Sequence, residues 1–139
     1  MLLLYRIIIN LVLIISPLIL IPRIINKKET LKSFFEKIGN IRKKRVLKGK
    51  LIWIHGSSVG EILGAVPLIE KLEKRKDISQ ILITSNTVSS SKVIEGLRLN
   101  KIIHQFFPID TNILSRKFLN YWKPNLAIFI ESEIWPNMV

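Results

Sequence analysis

Two short stretches gather residue types able to move a proton and hold a hydroxyl-rich substrate. His55-Gly56-Ser57-Ser58-Val59-Gly60-Glu61 combines two hydroxyls, a flexible turn and a carboxylate, and Glu131-Ser132-Glu133-Ile134-Trp135-Pro136-Asn137 carries two carboxylates two residues apart. A carboxylate placed beside a sugar hydroxyl can accept its proton, which is general-base work. Ser58 followed three residues later by Glu61 also spells a capping box, with the carboxylate turned back on the start of a helix. A helix N-terminus keeps such a carboxylate ionised, which suits acceptance and limits basicity. Glu131 and Glu133 alternate along an extended chain and point to opposite sides, so one of them faces any given crevice. Their plain alternatives are an ion pair for Glu131 and a solvated loop position for Glu133. Trp135-Pro136 reads as packing followed by a chain stop.

Other chemistries fit less well. The turn from Gly56 to Gly60 offers backbone N–H groups to a phosphate, but the lysine of a P-loop is missing and GxGxxG does not occur. Gly56-Ser57-Ser58 is not the G-x-S-x-G elbow of a serine hydrolase, and His55 and His104 are the available bases. His55 reads instead as a satisfied histidine at a strand end. With no cysteine in the chain, a disulfide scaffold, a thiolate zinc site, an iron–sulfur cluster and a cysteine nucleophile are all excluded.

These residues need elements to position them, and from Leu51 onward the pattern alternates strand and helix. Leu51 to Ile54 reads as a buried strand, and Ser57 and Ser58 lead into an apolar-periodic helix ending near Lys74. Gln80 to Thr84 is a second strand. Ser89 or Ser90 caps a helix reaching about Leu97, Ile103 to Phe107 is a third strand, and Thr111 to Tyr121 is a helix with Leu114, Phe118 and Leu119 inward. Leu126 to Ile130 is the last strand. Strands that are continuous apolar runs, alternating with helices, predict an α/β fold: a Rossmann-like parallel sheet with flanking helices on both faces. In such sheets ligands lie beyond the carboxyl ends of the strands, where both chemical stretches fall.

The 139 residues carry a net charge of +12 and are 48% hydrophobic, too apolar for a disordered chain. Charge and apolarity sit apart. Residues 23–50 hold eleven of the 22 Lys and Arg and two of the ten acids. Residues 1–25 are almost wholly apolar, with an uncharged run from Ile7 to Pro22 that as a helix covers about 24 Å. Adding Met1 to Tyr5 reaches about 33 Å, enough for a bilayer core if Arg6 snorkels and Pro17 is accommodated. This predicts a hydrophobic membrane-anchor helix over 1–25, which either spans the bilayer or lies in its interface. No small-x-small cleavage site follows it, and a buried helix of a soluble protein is the bland alternative. The basic cluster that follows orients everything from Arg23 onward toward the cytoplasm, with residues 26–50 as a basic juxtamembrane segment. It suits anionic lipid headgroups better than nucleic acid, because no aromatic residues interleave the 42–50 run.

Taken together, the chain resembles the N-terminal half of the Kdo (3-deoxy-D-manno-octulosonic acid) transferases of lipopolysaccharide synthesis. The resemblance rests on the hydrophobic N-terminus with its basic follow-on, His55 to Glu61 leading to Ala65-Val66-Pro67-Leu68, Thr84 to Ser91, Pro108-Ile109-Asp110, and Glu131 to Asn137. It implies a GT-B glycosyltransferase with two facing Rossmann-like domains, the lipid acceptor on the first and CMP-Kdo mainly on the second. Under that resemblance Glu61 corresponds to the general base toward the acceptor hydroxyl of the lipid A precursor (lipid IVA), and Glu131 to a transition-state stabiliser. Ser57, Ser58 and Gly60 become acceptor-binding candidates. The implied reaction is inverting and metal-independent, with no further cofactor, at the cytoplasmic face of a Gram-negative inner membrane. Residues 51–139 then form the acceptor-binding domain. The sequence stops at Val139, so the donor-binding domain is expected to be absent from this chain and the chain alone inactive. The rival reading is a non-catalytic, membrane-anchored module binding anionic lipid or a protein partner.

Overall fold

A computed structural model describes residues 1–27, 29–130 and 136–138. Nine elements follow in order: α1 (Leu2–Ile25), α2 (Leu31–Lys37), β1 (Lys50–His55), α3 (Val59–Glu73), β2 (Ile78–Ser85), α4 (Val88–Gly96), β3 (Ile102–Phe106), α5 (Asn112–Trp122) and β4 (Leu126–Phe129). The strands form one parallel sheet in the order β3-β2-β1-β4, so the α/β layout expected from the alternation is what the chain adopts.

Period-two alternation divides the core between the two faces. Ile52, Ile54, Ile81 and Ile83 pack with Ile62, Ala65 and Ile69 of α3 and Ile94 of α4. Leu51, Trp53 and Leu82 pack on the other face with Phe118 and Trp122 of α5, together with Phe107 and Met138. Because both faces are covered, the strands are apolar at most positions, and polar residues they bury, such as Thr84 and His104, are hydrogen-bonded.

Two local expectations change. The helix after β2 is capped by Thr87, whose side chain accepts from Ser90 N–H, and neither Ser89 nor Ser90 is the cap. β2 runs on to Ser85, which leaves Thr87 as the last extended residue and puts Ser90 at the third helical position. The basic stretch also holds structure of its own. α2 begins at Thr30, whose side chain accepts from Ser33 N–H, and Glu29 is buried between Ser33 Oγ at 2.5 Å and Lys37 Nζ at 2.5 Å. Glu36 Oε2 accepts from the N–H of Phe106 at 2.8 Å, and Gln80 grips the backbone of Lys44 and Val46. Residues 29–46 are thus tied to the sheet edge and to β2.

β3 carries a titratable core residue. His104 is buried with Nε2 2.9 Å from Ser85 Oγ, and burial first, then the Lys32 and Lys43 charges, push its pKa down to about 3. Unfolded, it titrates near 6.5. The unfolded chain therefore binds the extra proton between those values, and stability falls as pH falls through that window, by up to about 1.4 kcal/mol per pH unit. Glu36, raised by burial, acts in the opposite sense, its contribution being lost as pH rises through its folded pKa. His104→Gln is expected to flatten the acid limb relative to wild type, a difference in which Glu36 cancels. Urea midpoints measured near pH 7.5 and pH 5 check it; equal slopes in both proteins refute it.

Candidate active site

The strand order reverses at β1: the chain moves from β1 outward to β2 and β3, then returns to place β4 on the other side of β1. That reversal puts the topological switch point at the carboxyl ends of β1 and β4, where open α/β sheets bind ligands. The turn from β1 into α3 lies at this point. Glu131, Glu133 and Trp135, expected to contribute to the same site, lie outside the described residues.

The β1–α3 turn is built around Glu61. Ser58 caps α3, its Oγ accepting from Glu61 N–H at 3.3 Å while donating to Glu61 Oε1 at 2.9 Å. The other oxygen, Oε2, accepts from the Ser57 N–H at 2.6 Å. The carboxylate thus reaches one residue beyond the cap backbone that a capping box predicts. It also occupies an N–H that a phosphate cradle would need, which removes the phosphate-binding reading of this turn as it stands. Each oxygen keeps a lone pair for a further donor. Glu61 is half-exposed, Ser58 and Gly60 are exposed, and Ser57 is half-buried with its Oγ 3.3 Å from Asn86 Nδ2.

The two glycines differ in why they are there. A Cβ on Gly56 would meet Ile62 Cδ1 at 2.9 Å and Glu61 Cβ at 3.3 Å, so only glycine lets the first turn of α3 come this close to the end of β1. A Cβ on Gly60 would meet nothing nearer than Ser58 Oγ at 4.0 Å. Gly60 is exposed, so that space is open to solvent.

Both histidines bond elsewhere among the described residues. His55 is buried, with its ring centroid 4.2 Å from Phe107 and Nδ1 2.9 Å from Thr84 Oγ1. His104 pairs with buried Ser85. Among the described residues the histidines bond to Thr84 and Ser85 and not to the serines of the turn, which leaves the hydrolase reading without support.

A polar junction on the same rim was not visible in the sequence. Asp110 is buried and accepts from Tyr5 Oη at 2.5 Å, Ser115 Oγ at 3.0 Å and Asn137 N–H at 3.2 Å, while Asn137 Nδ2 donates to the Asp110 carbonyl at 2.7 Å. Arg6 Nε donates to Asn137 Oδ1 at 3.2 Å. The loop after β3 is joined in this way to α1 and to the chain beyond the Glu131 segment. Asn86, bonded to Ser57, also went unnoticed; its position as the first residue past β2 was the available signal.

Comparison with known proteins agrees with the geometry. Residues 32–139 match the family model described as 3-deoxy-D-manno-octulosonic-acid transferase (Kdo transferase). The 3-deoxy-D-manno-octulosonic acid transferase of Rickettsia felis is 54% identical over 87 residues, 62% of this chain and 18% of that protein. That of Rickettsia bellii is 42% identical over 122 residues, 87% of this chain and 29% of that protein. A probable mitochondrial 3-deoxy-D-manno-octulosonic acid transferase of Arabidopsis thaliana is 42% identical over 91 residues, covering 66% of this chain and 20% of the relative. The chain therefore spans between about a fifth and three-tenths of the length of these curated relatives.

Proposed function

The chain belongs to the 3-deoxy-D-manno-octulosonic-acid transferase family, and from that premise we propose that it is the acceptor-side part of an enzyme transferring Kdo from CMP-Kdo to the lipid A precursor, lipid IVA. Glu61 is the general base. The acceptor hydroxyl oxygen attacks the anomeric carbon of Kdo and its proton passes to Glu61. The bond from that carbon to the CMP phosphate breaks, and the electron pair leaves with CMP on the opposite face, which inverts the centre. Glu131 stabilises the charge that develops, and a donor-binding domain of the whole enzyme holds the nucleotide.

The observation that carries this reading is the Glu61 carboxylate at the start of α3: it is held by hydrogen bonds from the Ser57 N–H and the Ser58 hydroxyl and stays half-exposed beside open Gly60. Such a carboxylate is pre-oriented at no reorganisation cost when a hydroxyl arrives. Cations suited to a phosphorylated disaccharide stand on the same rim, where Arg23, Lys27 and Lys92 border a cavity of about 350 Å³ with Thr87 and Ser89. The apolar α1 suits an acceptor held at the inner membrane on its cytoplasmic side.

The test is Kdo transfer from CMP-Kdo to lipid IVA by this chain in mild detergent, alone and with the donor-binding half of a relative supplied. Transfer that appears with both halves and disappears with Glu61→Gln supports the reading. Lipid binding without transfer in any combination favours the non-catalytic module.

Gly60 gives a separate check on the acceptor side. Gly60→Ala removes backbone entropy from a helix with no clash, and is expected to stabilise the chain by about 0.5–1 kcal/mol. In the completed enzyme the same methyl group stands where the acceptor approaches, and KM for lipid IVA is expected to rise several-fold. A rise in melting temperature with KM unchanged would remove Gly60 from the acceptor site.

A further inference from the structure

We propose that α1 lies flat in the membrane surface, with one apolar face in a single leaflet of an anionic bilayer, and does not cross it. This goes beyond the transfer reaction and is independent of it.

One stripe of α1 faces the domain and the rest of its surface is exposed and largely apolar. Tyr5, Arg6, Ile9, Leu13, Ser16, Leu20 and Ile24 are half-buried or buried and recur every three or four residues from the first turn to the last. That is one helical stripe, turned toward the domain. Leu3, Ile14 and Ile25 are spaced by elevens, which brings them onto one line of the helix, and they are 73%, 75% and 74% exposed.

Both ends of the stripe are fastened. At the start, Tyr5 bonds to buried Asp110 and Arg6 to Asn137. At the far end, Arg23 pairs with Glu29 at 3.7 Å, and the Glu29 N–H donates to the Arg23 carbonyl. Between them, Ile9 lines a cavity of about 250 Å³ with Asn86, Phe107 and Asp110. Even the helix break is repaired on this side. Pro17 lacks the N–H that would bond the Leu13 carbonyl, and the Ser16 hydroxyl donates to that carbonyl at 2.7 Å instead.

A transmembrane orientation is incompatible with these contacts. Tyr5 and Arg23 are about 27 Å apart along the axis, so a helix along the bilayer normal would carry Tyr5 to the far leaflet and break the Tyr5–Asp110 and Arg6–Asn137 bonds. Lying flat keeps every contact and buries the outward apolar line roughly 5–10 Å deep. Leu31 and Phe35 of α2 are exposed as well, and Arg23, Lys27 and Lys92, which border one cavity, supply the charge that anionic headgroups attract.

Because the chain has no cysteine, Leu3→Cys, Ile14→Cys and Ile25→Cys each give one unique label site, on side chains too exposed to disturb folding. Each full-length variant carries a bimane and is bound to vesicles of phosphatidylethanolamine and phosphatidylglycerol. Quenching is then read with nitroxide lipids labelled near the headgroup or deep in the acyl chain. The expected result is equal, shallow depth at all three sites. Deep quenching at position 14 with shallower sites on either side overturns the proposal, and so does absence of quenching at every site. Neither outcome bears on whether Glu61 accepts a proton.

Discussion

Glu61→Gln in the transferase completed by its donor-binding half is expected to slow Kdo transfer by about 10²–10⁴-fold with KM for the acceptor little changed. Gln keeps the size of the side chain, and its carbonyl oxygen can still accept from the Ser57 N–H, the 2.6 Å bond that orients the group. It cannot take a proton. The loss therefore belongs in kcat, because the interaction removed is one made as the hydroxyl gives up its hydrogen. Structural damage has a different signature. Glu61 also accepts from the Ser58 hydroxyl and sits in the first turn of α3, so losing its charge costs about 1 kcal/mol of stability.

Ser58→Ala supplies the matching control. It removes the cap on the Glu61 N–H and one of the two bonds to the carboxylate, yet leaves the carboxylate itself. Stability should fall by about 1 kcal/mol and kcat by well under a factor of 100. If the two variants lose stability equally and Glu61→Gln keeps near-normal kcat, Glu61 is a helix cap alone and the proton goes elsewhere.

The parts of this molecule that were readable in advance are those specified by neighbours in sequence. β1 and β2 announce themselves because a strand buried on both faces must be apolar at each step, as Leu51 to Ile54 and Ile81 to Ile83 are. The Ser58–Glu61 pair was legible for the same reason: cap and carboxylate are three residues apart. α4 shows the limit, since four neighbouring hydroxyl residues from Thr87 to Ser91 can each cap a helix, and the choice is made by where β2 ends. α2 was hidden by the charge around it, although Thr30 and Ser33 carried its capping signal. The length and apolarity of α1 were plain, but not how it lies. Its orientation is set by Tyr5 meeting Asp110 and Arg6 meeting Asn137, partners more than a hundred residues away that no local pattern can expose.

Trp53→Ala is expected to cost about 3–5 kcal/mol, the largest loss of stability among these variants. The residue lies in the middle of β1 at 1% exposure, under rings of Phe118 at 5.0 Å, Phe129 at 5.1 Å and Phe107 at 6.3 Å. Removing the indole leaves a cavity that three rings from different segments cannot close without moving the loop after β3, α5 or β4. Its Nε1 donates to Thr84 Oγ1 at 2.9 Å, the same hydroxyl that contacts His55 Nδ1. Trp53→Phe separates the two contributions: it restores most of the ring volume, forgoes one hydrogen bond, and should cost about 1–2 kcal/mol. Urea titration reads both as shifts in midpoint at constant slope. The deficit in the alanine variant is a large share of the 5–15 kcal/mol that a domain of this kind has in hand. It also acts where β1 hands over to the Ser57–Glu61 turn, since Gly56 N–H donates to the Thr84 carbonyl at 3.1 Å. An alanine cost below about 1 kcal/mol would mean that this aromatic cluster does not hold the sheet to α5, and with it would fall the account of how Glu61 is kept at the rim.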